Sequence, residues 1–290
     1  MSDVLTHQSG LEAWIPFYKI GTDNKGQPKP DFFSPNEDLR YSLRVADGVW
    51  TLPVFKDSIF QQILSSKLKE KGKYVYSDLG YYFHQRIIEK NYNMPMNELL
   101  ENNFYKKLGL QTMMYNPSGK IQKARIAPTE NNRDFRKQLL RGDVHDPGAA
   151  LMGGVAGHAG LFSNANDLAV VMQMLMNGGT YGGERYLDSA TVNLFAVKSY
   201  ALNNRRGLCF DKPETDPKKE SPVAAACSAK SFGHSGFTGT FAWADPETKL
   251  VYIFLSNRVY PNADDNKLAK SGIRSKIHQL LYEASANCSF

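Results

Sequence analysis

Residues 231–256 read SFGHSGFTGTFAWADPETKLVYIFLS, and the architecture turns on how this stretch folds. Three apolar-rich segments, 231–235, 239–244 and 250–256, are separated by Gly236-Phe237-Thr238 and by a run opening on Asp245-Pro246-Glu247, both turn signals. Connections this short join antiparallel neighbours, because a parallel pair needs a long crossover. Residues 206–211 read as a further strand. Beyond the sheet, 265–285 carries Leu268, Ile273, Ile277, Leu280 and Leu281 on one side of a helix, which is expected to cover a face of that sheet.

Working back towards the start of the chain, the period changes from two to that of a helix. Residues 166–176 form the clearest helix, entered through Ser163, Asn164 and Asp167 and left through Gly178-Gly179. Ahead of it, Gly153-Gly154-Val155-Ala156-Gly157-His158-Ala159-Gly160 is too rich in glycine for helix or regular strand. Apolar residues recur at helical spacing over 57–69, and again through Leu79, Tyr82, Phe83 and Ile87. Ser77 or Asp78 can cap that second helix, which leaves Tyr76 on the turn before it. A shorter helix is expected over 96–107, stopped at Gly109. With no repeat and no low-complexity tract, the fold class is α+β in a single domain over 1–290. Residues 12–200 are mostly helical, and 201–290 supply the antiparallel sheet and the C-terminal helix.

Composition narrows the function. A content of 42% hydrophobic, 12% aromatic and 22% charged residues is that of a packed globular protein. The longest clean apolar run, 250–255, is far short of the roughly 20 residues of a membrane-spanning helix, and residues 1–7 lack the basic and apolar regions of a signal peptide. Lys and Arg number 35 against 29 Asp and Glu, a net charge of +6. These charges are scattered and interrupted by acid, as in Lys67-Leu68-Lys69-Glu70-Lys71, so a solvated surface explains them and a nucleic-acid partner is not expected. Cys209, Cys227 and Cys288 make no C-x-x-C pair and leave one over.

Four short elements carry chemistry: Leu5-Thr6-His7-Gln8-Ser9-Gly10-Leu11, Tyr76-Ser77-Asp78, the segment Gly157-His158-Ala159-Gly160-Leu161-Phe162-Ser163, and His234-Ser235-Gly236. Each alone reads more readily as core, turn or strand than as a site. Together, and in this order, they resemble the serine β-lactamase and penicillin-binding-protein superfamily, in its class C-like branch with related esterases and D-amino-acid peptidases. Tyr76-Ser77-Asp78 matches that branch's Y-x-N element with Asp78 in the Asn place. His234-Ser235-Gly236 matches its K-T-G or H-x-G triplet, and the first element its L-x-H-x-S-G-L stretch. The resemblance runs from residue 5 to about residue 285.

It implies a β-lactamase/transpeptidase-like fold and hydrolysis of an amide or ester through an acyl-enzyme. Tyr76 is the implied general base, Asp78 its neighbour in the catalytic set, and the Phe237 backbone N–H one half of the oxyanion hole. His234, Ser235 and Gly236 bind substrate. Histidine is largely neutral at pH 7 where lysine would be a permanent cation, which favours esterase-like or peptidase-like substrates over β-lactams. The superfamily's nucleophile is the serine of an S-x-x-K motif that precedes the L-x-H-x-S-G-L stretch. The only Ser-x-x-Lys here is Ser66-Lys67-Leu68-Lys69, in the wrong order relative to residues 5–11. The chain is therefore expected to be the C-terminal portion of a serine hydrolase whose first helix and strands lie outside it, inactive alone.

Two other classes stay open: a non-catalytic ligand-binding module, and the accessory tail of a bacterial glycoside hydrolase fusion. The expected partner is a small-molecule or cell-wall-derived acyl substrate, with a separate N-terminal segment or a fused glycoside hydrolase domain as the protein partner. The resemblance places the parent protein in the periplasm or outside the cell. No cofactor is implied. Nor is a metal, since His145, Asp146 and His158 fit no H-E-x-x-H pattern and the cysteines offer no paired ligands. His145-Asp146 reads as a loop ion pair or as a lining of the site.

Overall fold

A computed structural model describes residues 1–197, 204–216 and 218–287; Cys288 lies outside the described residues. The chain divides into two compact units: His7–Ser163 with Val259–Ala263, and Met1–Thr6 with Asn164–Arg258 and Asp264–Phe290.

In the first unit the helix Phe55–Ser65 buries Phe55, Ile59, Phe60 and Ile63, one stripe at helical spacing. It ends before the 69 that periodicity suggests, because Ser66 turns extended and its hydroxyl bonds back to the Ile63 carbonyl at 2.7 Å. The helix Leu79–Tyr92 buries Leu79, Tyr82 and Gln85 and stops at Asn93, whose φ is +47°. The helix expected over 96–107 is Met96–Leu100, followed by a wider turn over Glu101–Tyr105 in which Lys106 N–H reaches the Glu101 carbonyl. The short helix Pro147–Leu151 is wholly buried over Gly148–Leu151 and is capped by Asp146, which accepts the Ala149 N–H at 2.7 Å. Within this unit, Phe33–Ser34, Val49–Thr51 and Leu43–Ala46 form an antiparallel sheet in that spatial order. Its strands are too short to produce a visible alternation in the sequence.

In the second unit, Phe232–Ser235, Phe241–Asp245 and Leu250–Phe254 form the expected antiparallel sheet, with His234 opposite Ala242 and Trp243 opposite Tyr252. Alternation sorts the side chains. Phe232, Ala244, Val251 and Ile253 pack with Met172 of the helix Ala165–Met176, while Phe241, Trp243 and Tyr252 pack on the other face with Ile277. Gly233 is required by that packing, since a Cβ there would lie 2.1 Å from the Ala242 carbonyl and 2.4 Å from the Trp243 ring. Residues 206–211 are not a regular strand. Arg206 bridges Asp211, and Asp211 bridges Gly233 with N–H···O bonds of 2.8 and 3.1 Å, around a turn in which Cys209 has φ +71°.

The C-terminal helix differs from expectation in length and in face. It is two pieces, Lys267–Ser271 and Ile273–Asn287, broken where Gly272 adopts φ +59°. Leu280 is 61% exposed, and the buried residues are His278 and Tyr282. The reason is Asp245, buried at the end of its strand, whose carboxylate accepts the Tyr282 hydroxyl at 2.7 Å and thereby sets the rotation of the helix.

Candidate functional site

Tyr76 is held from the preceding motif. Residues 7–10 run beside 69–75, with Lys69 N–H to the Gly10 carbonyl at 2.7 Å, Gly72 to Gln8 at 2.9 Å and Val75 to His7 at 2.9 Å. Gly10 is needed at φ +82°, since a Cβ would fall 2.6 Å from the Lys69 carbonyl oxygen. The buried His7 ring accepts the Ser77 N–H on Nδ1 at 3.1 Å and stacks on the Tyr76 ring at 4.3 Å. Of the two possible caps for the following helix, Ser77 acts, accepting the Leu79 N–H at 3.3 Å, while its own hydroxyl donates to the Glu12 carbonyl at 2.6 Å. Asp78 makes no side-chain cap. It shares a side-chain hydrogen bond with Tyr76 instead. Burial, then the charge of Asp146, push the Asp78 carboxyl above its usual range, against the opposing pull of His158 and of the Tyr76 bond.

Behind this pair lies a second, buried set. His158 Nε2 meets Asp146 Oδ1 at 3.0 Å, and the Tyr82 ring lies 4.5 Å from the His158 ring. Burial pushes the Asp146 carboxyl up, but the His158 bond and charge, the Ala149 N–H and Arg136 more than offset this and hold it below the usual carboxylate range. Burial, with Asp146 and Asp78 nearby, keeps Tyr82 a phenol far above its ordinary range. His145 Nε2 lies 3.4 Å from Glu130. Ser66 and Lys69 do not form a helical Ser-x-x-Lys turn, because Ser66 ends its helix and Lys69 pairs with Glu12 at 2.7 Å.

The other predicted residues lie in the second unit. His234 and Ser235 end their strand, and Gly236 opens a tight turn closed by Gly236 N–H to the Thr240 carbonyl at 2.8 Å. Phe237, 63% exposed, sits on this turn, where Arg258 donates Nε–H to its carbonyl at 2.8 Å and stacks its guanidinium 4.3 Å from the ring centre. Arg206 Nη1 lies 2.9 Å from His234 Nε2, and His234 Nδ1 lies 2.7 Å from the Ser235 carbonyl oxygen. Burial, then Arg206, hold the imidazole below its ordinary range.

The structure thus brings Tyr76 to Asp78 in one unit, and His234 to Ser235, Gly236 and Phe237 in the other. The sequence reading missed Arg206 as the partner of His234, Arg258 as the brace of Phe237, and His158 with Tyr82 behind Asp78. The paired Arg205-Arg206 ahead of an Asp was the one local signal. The rest lie too far apart in sequence for spacing to reveal. No group of three or more His, Cys, Asp or Glu side chains that could hold a metal ion occurs among the described residues, and no described helix is long and apolar enough to cross a membrane.

Comparison with known proteins bears on the family and the fold. A family model described as Beta-lactamase matches residues 1–273. A protein of Escherichia coli (strain K12), whose name gives D-alanyl-D-alanine carboxypeptidase as its inferred activity, is 32% identical over 280 residues, 92% of this chain and 59% of that protein. An N-acetylmuramyl-L-alanine amidase of Bacillus subtilis (strain 168) is 30% identical over 308 residues, 97% of this chain and 63% of that protein. The chain thus spans about three fifths of the length of these curated relatives. Among solved structures, D-amino acid amidase from Ochrobactrum anthropi SV3 superposes with a TM-score of 0.61 at 12% identity, covering 98% of this chain and 73% of that one. A penicillin-binding-protein homologue from Caulobacter crescentus gives 0.55 at 19%, covering 88% and 64%. At such identities these two speak for the fold, which is β-lactamase/transpeptidase-like. Matched over nearly its whole length by the family model and related at 30% identity or better to two curated proteins, the chain belongs to the β-lactamase family, within the superfamily of serine β-lactamases and penicillin-binding proteins.

Proposed function

We propose that this chain forms the greater part of a serine hydrolase that cleaves amide or ester bonds through an acyl-enzyme, with esterase-like or D-amino-acid-peptidase-like substrates derived from the cell wall. The observation that carries the reading is the Tyr76–Asp78 pair, seated on the 7–10 motif by three backbone bonds and the His7 ring. In this reading Tyr76 takes the proton of the attacking serine hydroxyl and returns it to the leaving amine or alcohol. The Phe237 N–H stabilises the oxyanion, and Ser235, Gly236 and His234 orient the acyl group. A neutral His234 suits an uncharged acyl group, and the names of the two curated relatives support a cell-wall substrate.

A phenol is a poor base until a cation lowers its pKa, and in the superfamily the lysine of S-x-x-K helps to do so. Ser66–Lys69, the one Ser-x-x-Lys in residues 1–290, has neither the helical geometry nor a free lysine to serve. Residues 1–290 by themselves are therefore expected to form no acyl-enzyme. Intact mass spectrometry after exposure to a fluorophosphonate and to a β-lactam tests this on residues 1–290 and on the full gene product. Label on a serine of the full product outside 1–290 is the expected result. Stoichiometric label on Ser66 would overturn the reading.

A further inference from the structure

His7 occupies a box of three tyrosines. Its ring stacks on Tyr76 at 4.3 Å with an interplanar angle of 29°, meets Tyr74 edge-on at 6.1 Å and lies 5.9 Å from Tyr81. The imidazole is 2% exposed and hangs from a backbone at φ +58°, the left-handed region that a non-glycine residue seldom adopts. Such a conformation persists only where its surroundings impose it, and it concentrates at working sites. Here the surroundings are on both sides of Tyr76: the His7 carbonyl accepts the N–H of Val75 at 2.9 Å, and His7 Nδ1 accepts the N–H of Ser77 at 3.1 Å.

We propose that His7 is a positioning residue for Tyr76, gripping the backbone before and after it while stacking on its ring. The choice of imidazole follows from the geometry. An amide N–H can only donate, so Nδ1 is unprotonated and the ring neutral, with its proton on Nε2. Phenylalanine could supply the stack without the acceptor, and asparagine the acceptor without the stack. Histidine is the side chain that offers both from one plane. The proposal rests on the reading of Tyr76 as the base only for its consequence in catalysis; the positioning itself is a property of the fold.

The test begins with the unaltered chain. Long-range ¹H–¹⁵N NMR of the His7 ring must show Nδ1 as an unprotonated acceptor and Nε2 as protonated; a protonated Nδ1 overturns the proposal whatever the variants do. His7→Phe and His7→Asn are then compared by ¹³Cζ-tyrosine NMR, with Tyr76 assigned through Tyr76→Phe. The expected result is that both variants move the Tyr76 resonance while Tyr105 and Tyr252 stay in place, and that both lower kcat of the full gene product by about 100-fold at little change in KM, as loss of reactive geometry does. An unmoved Tyr76 resonance in both variants overturns the proposal. A moved resonance together with full activity of Tyr76→Phe would keep the positioning and remove Tyr76 as the base.

Discussion

The Arg206 guanidinium, 2.9 Å from His234 Nε2, decides which proton the imidazole carries. Arginine can only donate, so Nε2 is the acceptor and Nδ1–H donates to the Ser235 carbonyl at 2.7 Å. Protonating His234 would break the first bond and set two cations side by side. Asp211 anchors the arrangement, with Arg205 Nε 2.9 Å and Arg206 Nε 3.6 Å from its Oδ1. The triplet's histidine is thus a fixed neutral donor–acceptor, set beside a cation on a neighbouring segment.

Arg206→Gln is accordingly expected to raise the His234 pKa. Burial is the larger cause of its depression and remains, so the recovery towards the ordinary imidazole range is partial. An NMR pH titration of His234 in both proteins checks this; equal titration curves would mean that Arg206 does not govern the ring.

Asp78 gives a prediction of opposite sign to most carboxylates. Its folded pKa is raised, chiefly by burial, so the ionised form disfavours the fold and the associated stability is present in acid and lost as pH rises through the folded pKa. Asp78→Asn, which keeps an acceptor for Tyr76, should raise Tm at pH 7. The gain should shrink as the pH is lowered towards 4. A Tm that falls at pH 7 would count against the burial account.

His278 controls a separate acid transition. Burial pushes its pKa down to about 4, with Asp245 opposing. The unfolded chain takes up this proton near pH 6.5 and the folded chain only near 4, so stability is full above that window and is lost as pH falls through it, by at most about 1.4 kcal/mol per pH unit. Urea midpoints at pH 7, 5.5 and 4.5 should show the decline, and His278→Gln should flatten it.

Asp245 is the joint between sheet and C-terminal helix. Its carboxylate accepts the Ser228 hydroxyl at 2.6 Å, the Ser228 N–H at 2.9 Å, the Tyr282 hydroxyl at 2.7 Å and the Glu247 N–H at 3.0 Å. Asp245→Ala strands these donors and should cost about 3–5 kcal/mol, against about 1–2 kcal/mol for Tyr282→Phe, which removes the hydroxyl's bonds to Asp245 and Cys227. Denaturant unfolding of the two variants measures both; similar losses would mean that the other three donors find water.

What the sequence determined by itself is what lies within a few residues. Alternation of Phe241 and Trp243 against Ala242 and Ala244 marks a strand packed on both faces, and Asn164 accepting the Asp167 N–H marks a helix start, because both are local chemistry. The order of the four motifs pointed to the family and so to the fold. The tertiary structure alone decided the face of the last helix, where leucines at good helical spacing stay exposed because one buried carboxylate demands Tyr282. It alone paired Arg206 with His234, Asp146 with His158 and His7 with Ser77, contacts spanning 28, 12 and 70 residues. Such pairs are chosen by which buried donors and acceptors packing brings within reach, and that reach is not written in any local period.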